Sequence, residues 1–104
     1  MNYRQGDVFI LTSKKIKDFS SAKIVKEKIL AKGEVTGHYH LLKSINDCKI
    51  EVIENQDGCF IKISDGLAEL IHQEHALIKI TEGIYEVRLQ REYDPVDYAR
   101  RVAD

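Results

Sequence analysis

The sequence predicts an all-β domain, and three observations carry that prediction. Apolar residues recur mainly at every second position, which is the period of a half-buried strand. Turn-forming pairs, Asp57-Gly58, Asp65-Gly66 and Glu82-Gly83, divide these runs at close spacing. The only proline, Pro95, lies beyond the last alternating run. Eight or so short strands separated in this way build a small β-barrel or sandwich.

In chain order, Val8-Phe9-Ile10-Leu11 suits a buried strand. The stretch from Lys14 to Lys28 is ambiguous; Ile16, Phe19, Ile24 and Val25 suit either a loop followed by a strand or a short helix. Strand character returns from Lys28 to Ala31, and Gly33 and Gly37 bracket a turn-rich segment before His38 to Leu42. Lys49 to Glu54 and Cys59 to Ile63 form a hairpin around Asp57-Gly58, with Ile50 and Val52 facing Ile61 and Ile63. Leu67 to His72 and Ala76 to Ile80 pair around Gln73-Glu74, and Ile84 to Gln90 alternates Tyr85, Val87 and Leu89 with polar residues. Asp94-Pro95 opens a tail in which Pro95 to Val102 suits a short helix. Tyr93, Val96, Tyr98 and Val102 make that tail too apolar for a free polar terminus. It is expected to dock on the domain or on a second copy in a symmetric homodimer.

Composition sets the outer limits. The 104 residues suit one domain spanning 1–104, with one core. No run approaches the ~18 apolar residues of a membrane span, and the first residues lack the layout of a secretion signal, so a cytoplasmic location is expected. Cys48 and Cys59 read as packing thiols, because the hairpin sets Cys59 opposite Glu54 or Gln56 and away from Cys48. The net charge of −1 conceals ten Lys/Arg against five acids in residues 1–49, and six against twelve in 50–104. The lysines are dispersed, with little arginine or interleaved aromatic, so a solvated face is favoured over a nucleic-acid surface.

The four histidines fall in two clusters, His38-Tyr39-His40 and His72-Gln73-Glu74-His75. In a strand His38 and His40 share a face, and His72 and His75 flank a tight turn as cross-strand neighbours if Gln73-Glu74 is its tip. Gln-Glu is poor chemistry for a two-residue turn, so a wider bend is the alternative. Two imidazole pairs converging from separate segments suit one divalent transition metal, with zinc, iron and nickel not distinguished. Four ligands favour a structural role, and three with an open position favour catalysis. Glu74 is the foremost nearby carboxylate, as ligand, orienting group or general base, ahead of Glu69 and Glu34. The tyrosines Tyr39, Tyr85 and Tyr93 read as core or rim aromatics.

Gly33-Glu-Val-Thr-Gly-His-Tyr-His40 resembles the opening of a cupin metal motif, a glycine ahead of an H-x-H pair on a small β-barrel. The glutamate that follows in cupins has no counterpart in Leu41-Leu42-Lys43-Ser44, and the second segment here offers two histidines where cupins offer one. A closer likeness runs through Gln5-Gly6-Asp7-Val8, 33–40, His72 to His75 and Gln90-Arg91-Glu92-Tyr93. These segments resemble a set of small uncharacterised bacterial and phage proteins, which implies a shared site without naming a reaction. The expected function is a cupin-like metal-binding protein with a four-histidine site acting on a small-molecule ligand. Metal-free histidine acid–base cleavage of a phosphodiester and a non-enzymatic interaction module stand as alternatives.

Overall fold

A computed structural model describes residues 2–32 and 37–90. Within them the chain forms ten strands in two antiparallel sheets. The strands are β1 (Tyr3–Gln5), β2 (Val8–Thr12), β3 (Lys23–Val25), β4 (Glu27–Lys32), β5 (Tyr39–Ser44), β6 (Lys49–Asn55), β7 (Gly58–Ser64), β8 (Ala68–Ile71), β9 (Ile78–Ile80) and β10 (Gly83–Leu89). One sheet runs β1-β2-β10-β7-β6-β3 and the other β4-β5-β8-β9. The all-β expectation holds, in its sandwich form. The sheets do not close into a barrel: β3 and β4 are separated only by Lys26, yet they pair with different neighbours, β6 and β5. The helix expected from Pro95 to Val102 lies outside the described residues; among the described residues no helix is long and apolar enough to cross a membrane.

Alternation decides what faces inward. Ile50 opposes Ile63 and Val52 opposes Ile61 across the β6–β7 hairpin, and all four are buried. They meet Val8 and Ile10 of β2, Tyr85 and Val87 of β10, and Leu42, Ala68, Leu70 and Ile80 of the second sheet in one core. Cys59 lies opposite Glu54 as expected, and no disulfide joins it to the buried Cys48. The chain changes sheets between β5 and β6 through Asn46 (φ 51°) and Asp47 (φ 61°). Both are in the left-handed region that a tight I′ turn requires. At the opposite edge, the Tyr3 and Tyr85 rings meet edge to face at 5.9 Å. The Tyr85 hydroxyl donates to the Thr81 carbonyl at 2.8 Å, which closes the corner where β9 turns into β10.

The ambiguous Lys14–Lys28 stretch resolves into a loop and then two strands. The loop is held by the outer face of the larger sheet. Lys15 Nζ reaches Glu86 at 3.1 Å, and Arg88 Nε donates to the same carboxylate at 2.9 Å. The Arg88 hydrogen bond holds the Glu86 carboxyl below its ordinary pKa, with Lys15 adding to the effect against burial. Lys62 lies over the Phe19 ring at 6.0 Å, and both Phe19 and Phe60 are buried apart from the main core. Phe19→Ala should therefore cost about 3 kcal/mol in urea unfolding, the usual loss for a buried ring. A loss below about 0.5 kcal/mol, ordinary for a surface site, would mean that the loop is not anchored by this side chain.

Candidate metal centre

The site begins with a hairpin that sequence reading did not identify as a strand pair. Gln5 pairs with Val8 across the β1–β2 turn, so its side chain takes an inward position next to the core. Gly6 (φ 57°) supplies the positive φ needed at the first turn residue. A Cβ there would lie 2.9 Å from His75 Nε2 and 3.3 Å from His40 Cε1, so any larger residue would push the His75 ring aside.

Gln5 is 3% exposed and His40 is 4% exposed. The Gln5 amide nitrogen donates to the Leu70 carbonyl and to the Ala76 carbonyl, both at 2.9 Å. Because both partners are acceptors, this end of the amide must be the NH2 group. Its oxygen lies 2.9 Å from His40 Nδ1. Nδ1 must therefore be the donor, and the lone pair of the neutral ring is on Nε2. The buried amide thus fixes both the orientation and the tautomer of His40, as outer partners do for metal-ligating histidines. Beside it, the β4–β5 ladder slips register between Ile29 and Ala31, and Ala31 opposes His40.

The second histidine pair is not cross-strand. Paired residues end at Leu70 and Ile78, so His72 and His75 belong to a loop and not to strand ends. The wider bend wins because the loop has partners of its own. Gln73 Oε1 accepts the Tyr39 N–H at 2.9 Å, the Glu74 N–H donates to His72 Nδ1 at 3.0 Å, and Gln5 holds Ala76. His72 borders each of the other rings, with centroids 5.7 Å from His38, 4.3 Å from His40 and 4.7 Å from His75. His40 and His75 are 5.9 Å apart and nearly parallel.

Of the expected carboxylates, Glu74 Oε1 lies 3.7 Å from His38 Nδ1. Glu69 alternates with the buried Ala68 and Leu70 and so faces away from the site. Glu34 is outside the described residues. Burial pulls the His72 pKa below the ordinary imidazole value, the charges of His75 and His38 add to this, and Glu74 opposes it.

Donor chemistry suits a metal ion. Imidazoles sharing an ion through bonds of about 2.0–2.1 Å hold their centroids about 4.5–5.5 Å apart; His72 and His75, at 4.7 Å, lie in that range, and the other ring contacts, at 4.3, 5.7 and 5.9 Å, lie just outside it. Among the described residues, no group of three or more His, Cys, Asp or Glu side chains could hold an ion as it stands. One reason is visible, since His72 Nδ1 is already engaged by the Glu74 N–H.

A family model described as a domain of unknown function (DUF8820) matches residues 4–90, which include Gln5, Gly6 and all four histidines. No curated protein and no solved structure matches the chain.

Two outcomes follow for the metal-free protein in chelator. Gln5→Leu strands His40 Nδ1, the buried Leu70 carbonyl and the half-buried Ala76 carbonyl, and should lower stability by at least about 2 kcal/mol in urea unfolding; an unchanged midpoint would mean that the amide clamp contributes nothing. The lowered His72 pKa gives a stabilising contribution that is full above the unfolded value of about 6.5 and is lost as pH falls through the folded value. His72→Phe should flatten the loss of stability below about pH 6.5, and an equally steep loss in that variant would assign the effect to another group.

Proposed function

The chain belongs to the DUF8820 family, a domain family of unknown function, and from its geometry we propose that it is a metal-binding protein whose histidine cluster holds one divalent transition ion. The observation that carries this reading is the Gln5 clamp. A buried amide is spent on fixing one imidazole in the tautomer that leaves Nε2 as the donor, with three more imidazoles beside it. His38, His40, His72 and His75 are the pool of ligands, and imidazole donors suit zinc, iron and nickel alike. A bound ion would supply Lewis acidity toward a small-molecule ligand where a position stays open, or a cross-link between β5 and the 72–75 loop where none does. Glu74, beside His38, is the carboxylate placed to orient a ligating ring or take a proton.

One observation favours a second reading, metal-free acid–base chemistry. His40 carries its proton on Nδ1 and His72 on Nε2, with the rings 4.3 Å apart. Cleavage of an activated phosphodiester in excess chelator would select it.

Under the metal reading, tag-free protein should take up about one zinc ion per chain and melt higher when loaded. Uptake should weaken as pH falls through the histidine range, since ligating rings must be neutral. His40→Ala should abolish the rise in melting temperature. A rise of full size in that variant, read by differential scanning calorimetry, would put the ligands elsewhere.

A further inference from the structure

The last described strand ends beside an opening between the two sheets. Leu89 closes β10 and packs, like Val87 two residues before it, against the core. With Val87 and Cys59 it forms one wall of a cleft of about 150 Å³, and Ile29 and Leu30 of β4 form the other. The Lys28–Glu54 ion pair, at 2.6 Å, borders the same space. The exit of the chain is fixed next to this cleft, since Leu89 pairs with Val8 and the Gln90 N–H donates to the Asp7 carbonyl at 2.8 Å.

The border of the cleft suits a cover. Ile29 is 47% exposed on it. Among the described residues β4 has β5 as its one ladder neighbour, which makes it an edge strand, and exposed edges invite unwanted pairing. A space of about 150 Å³ lined by apolar side chains accepts a ring the size of benzene. Residues 91–104 lie outside the described residues, and their first apolar side chain is a ring, Tyr93. It stands four positions beyond Leu89, a reach of up to about 14 Å. Charge agrees as well. Glu92, Asp94 and Asp97 accompany Tyr93, Val96 and Tyr98 with no cation among residues 92–98, whereas Lys26, Lys28 and Lys32 outnumber Glu27 on and beside β4.

We propose that the segment 92–98 of the same chain covers the β4 edge, with the Tyr93 ring in the cleft between Leu30 and Leu89 and the three acids toward the β4 lysines. The short reach from Leu89 favours the chain's own segment over that of a second copy. The cover also braces β4, whose Ala31 opposes His40 in the ladder. It needs no metal ion.

The test uses the full chain. In NMR spectra of the wild type, the Tyr93 ring protons should show nuclear Overhauser contacts to the methyl groups of Leu30 and Leu89. In a mixture of labelled and unlabelled chains, these contacts should arise within one chain. The sequence has no tryptophan, so Tyr93→Trp adds a single reporter. Its acrylamide quenching should be about tenfold weaker than in urea-unfolded protein, a docked-to-free ratio of about ten that equals about 1.4 kcal/mol. Quenching should stay the same over about a hundredfold dilution, because docking within a chain does not depend on concentration. Adding Ile29→Glu, at an exposed position, sets a carboxylate against the three acids and should return quenching toward the unfolded value with the far-ultraviolet circular dichroism unchanged. Absence of contacts from Tyr93 to Leu30 and Leu89, or an indole quenched as freely as in urea, would overturn the proposal. Contacts between chains only, or protection lost on dilution, would make the occupant a second copy. Protection untouched by Ile29→Glu would place the ring away from β4. Should that variant fail to fold, the wild-type contacts alone decide.

Discussion

The amide of Gln5 is the constraint on which the site depends. It projects from the first strand of one sheet and ends among groups of the other: the imidazole of β5, the carbonyl of Leu70 on β8, and the carbonyl of Ala76 in the loop beyond. A buried amide left unmatched costs several kcal/mol, so such a group is tolerated only when its partners are complete. Here they are, and among the described residues no buried side-chain nitrogen or oxygen lacks a partner. A leucine in the same place would pack against Val8 and Leu70 with less demand on geometry. The clamp therefore specifies a ring orientation that apolar packing alone cannot, which is why it points to chemistry and not only to stability.

The two histidine segments differ in how firmly they are held. His40 is buried, hydrogen-bonded through one nitrogen, and built into a strand paired on both sides. His75 is exposed in a loop, and His72 is only partly covered. Their loop is tied at Tyr39 N–H, at Ala76 and by its own Glu74–His72 turn, with no ladder along its length. On the metal reading proposed above, His40 would set the position of an ion and rotations in the loop would bring further nitrogens to it.

Much of the fold was legible because burial enforces alternation. The β6–β7 hairpin, the β10 pattern and the Asp65-Gly66 turn follow from residue type and period two; that this turn passes from one sheet to the other does not. β1 was not legible, since Tyr3-Arg4-Gln5 has no apolar alternation and is a strand only because β2 pairs with it. The Asn46-Asp47 turn carried a usable signal, two residues tolerant of positive φ, that apolar counting passes over. In the site, clustering of His38, His40, His72 and His75 was plain from the sequence, yet their inequivalence was not. It depends on which ring nitrogen meets which backbone group, and that is fixed only when the chain is folded. Gln5 and Gly6 stood in the sequence as part of a resemblance, but the reason for a glutamine before that glycine lies in two carbonyls more than sixty residues away.

The place of the site in the sandwich ties ligand capture to the stability of the whole domain. The β1–β2 turn belongs to one sheet and the 72–75 loop to the other, and they meet at Gly6 and His75 because neither β1 nor β9 is paired across the gap between the sheets. The two edges are joined instead by side chains, with Tyr3 and Tyr85 on Thr81 at one end and Gln5 on Leu70 and Ala76 at the other. Any ligand held between His40 and the loop adds a further link across the same seam, and its binding free energy then adds to that of folding. Catalysis would ask the loop to release again, whereas a structural ion would ask it to stay. A loop held by a few polar contacts and little apolar surface is suited to the first demand, because local opening costs least where few buried contacts must be broken.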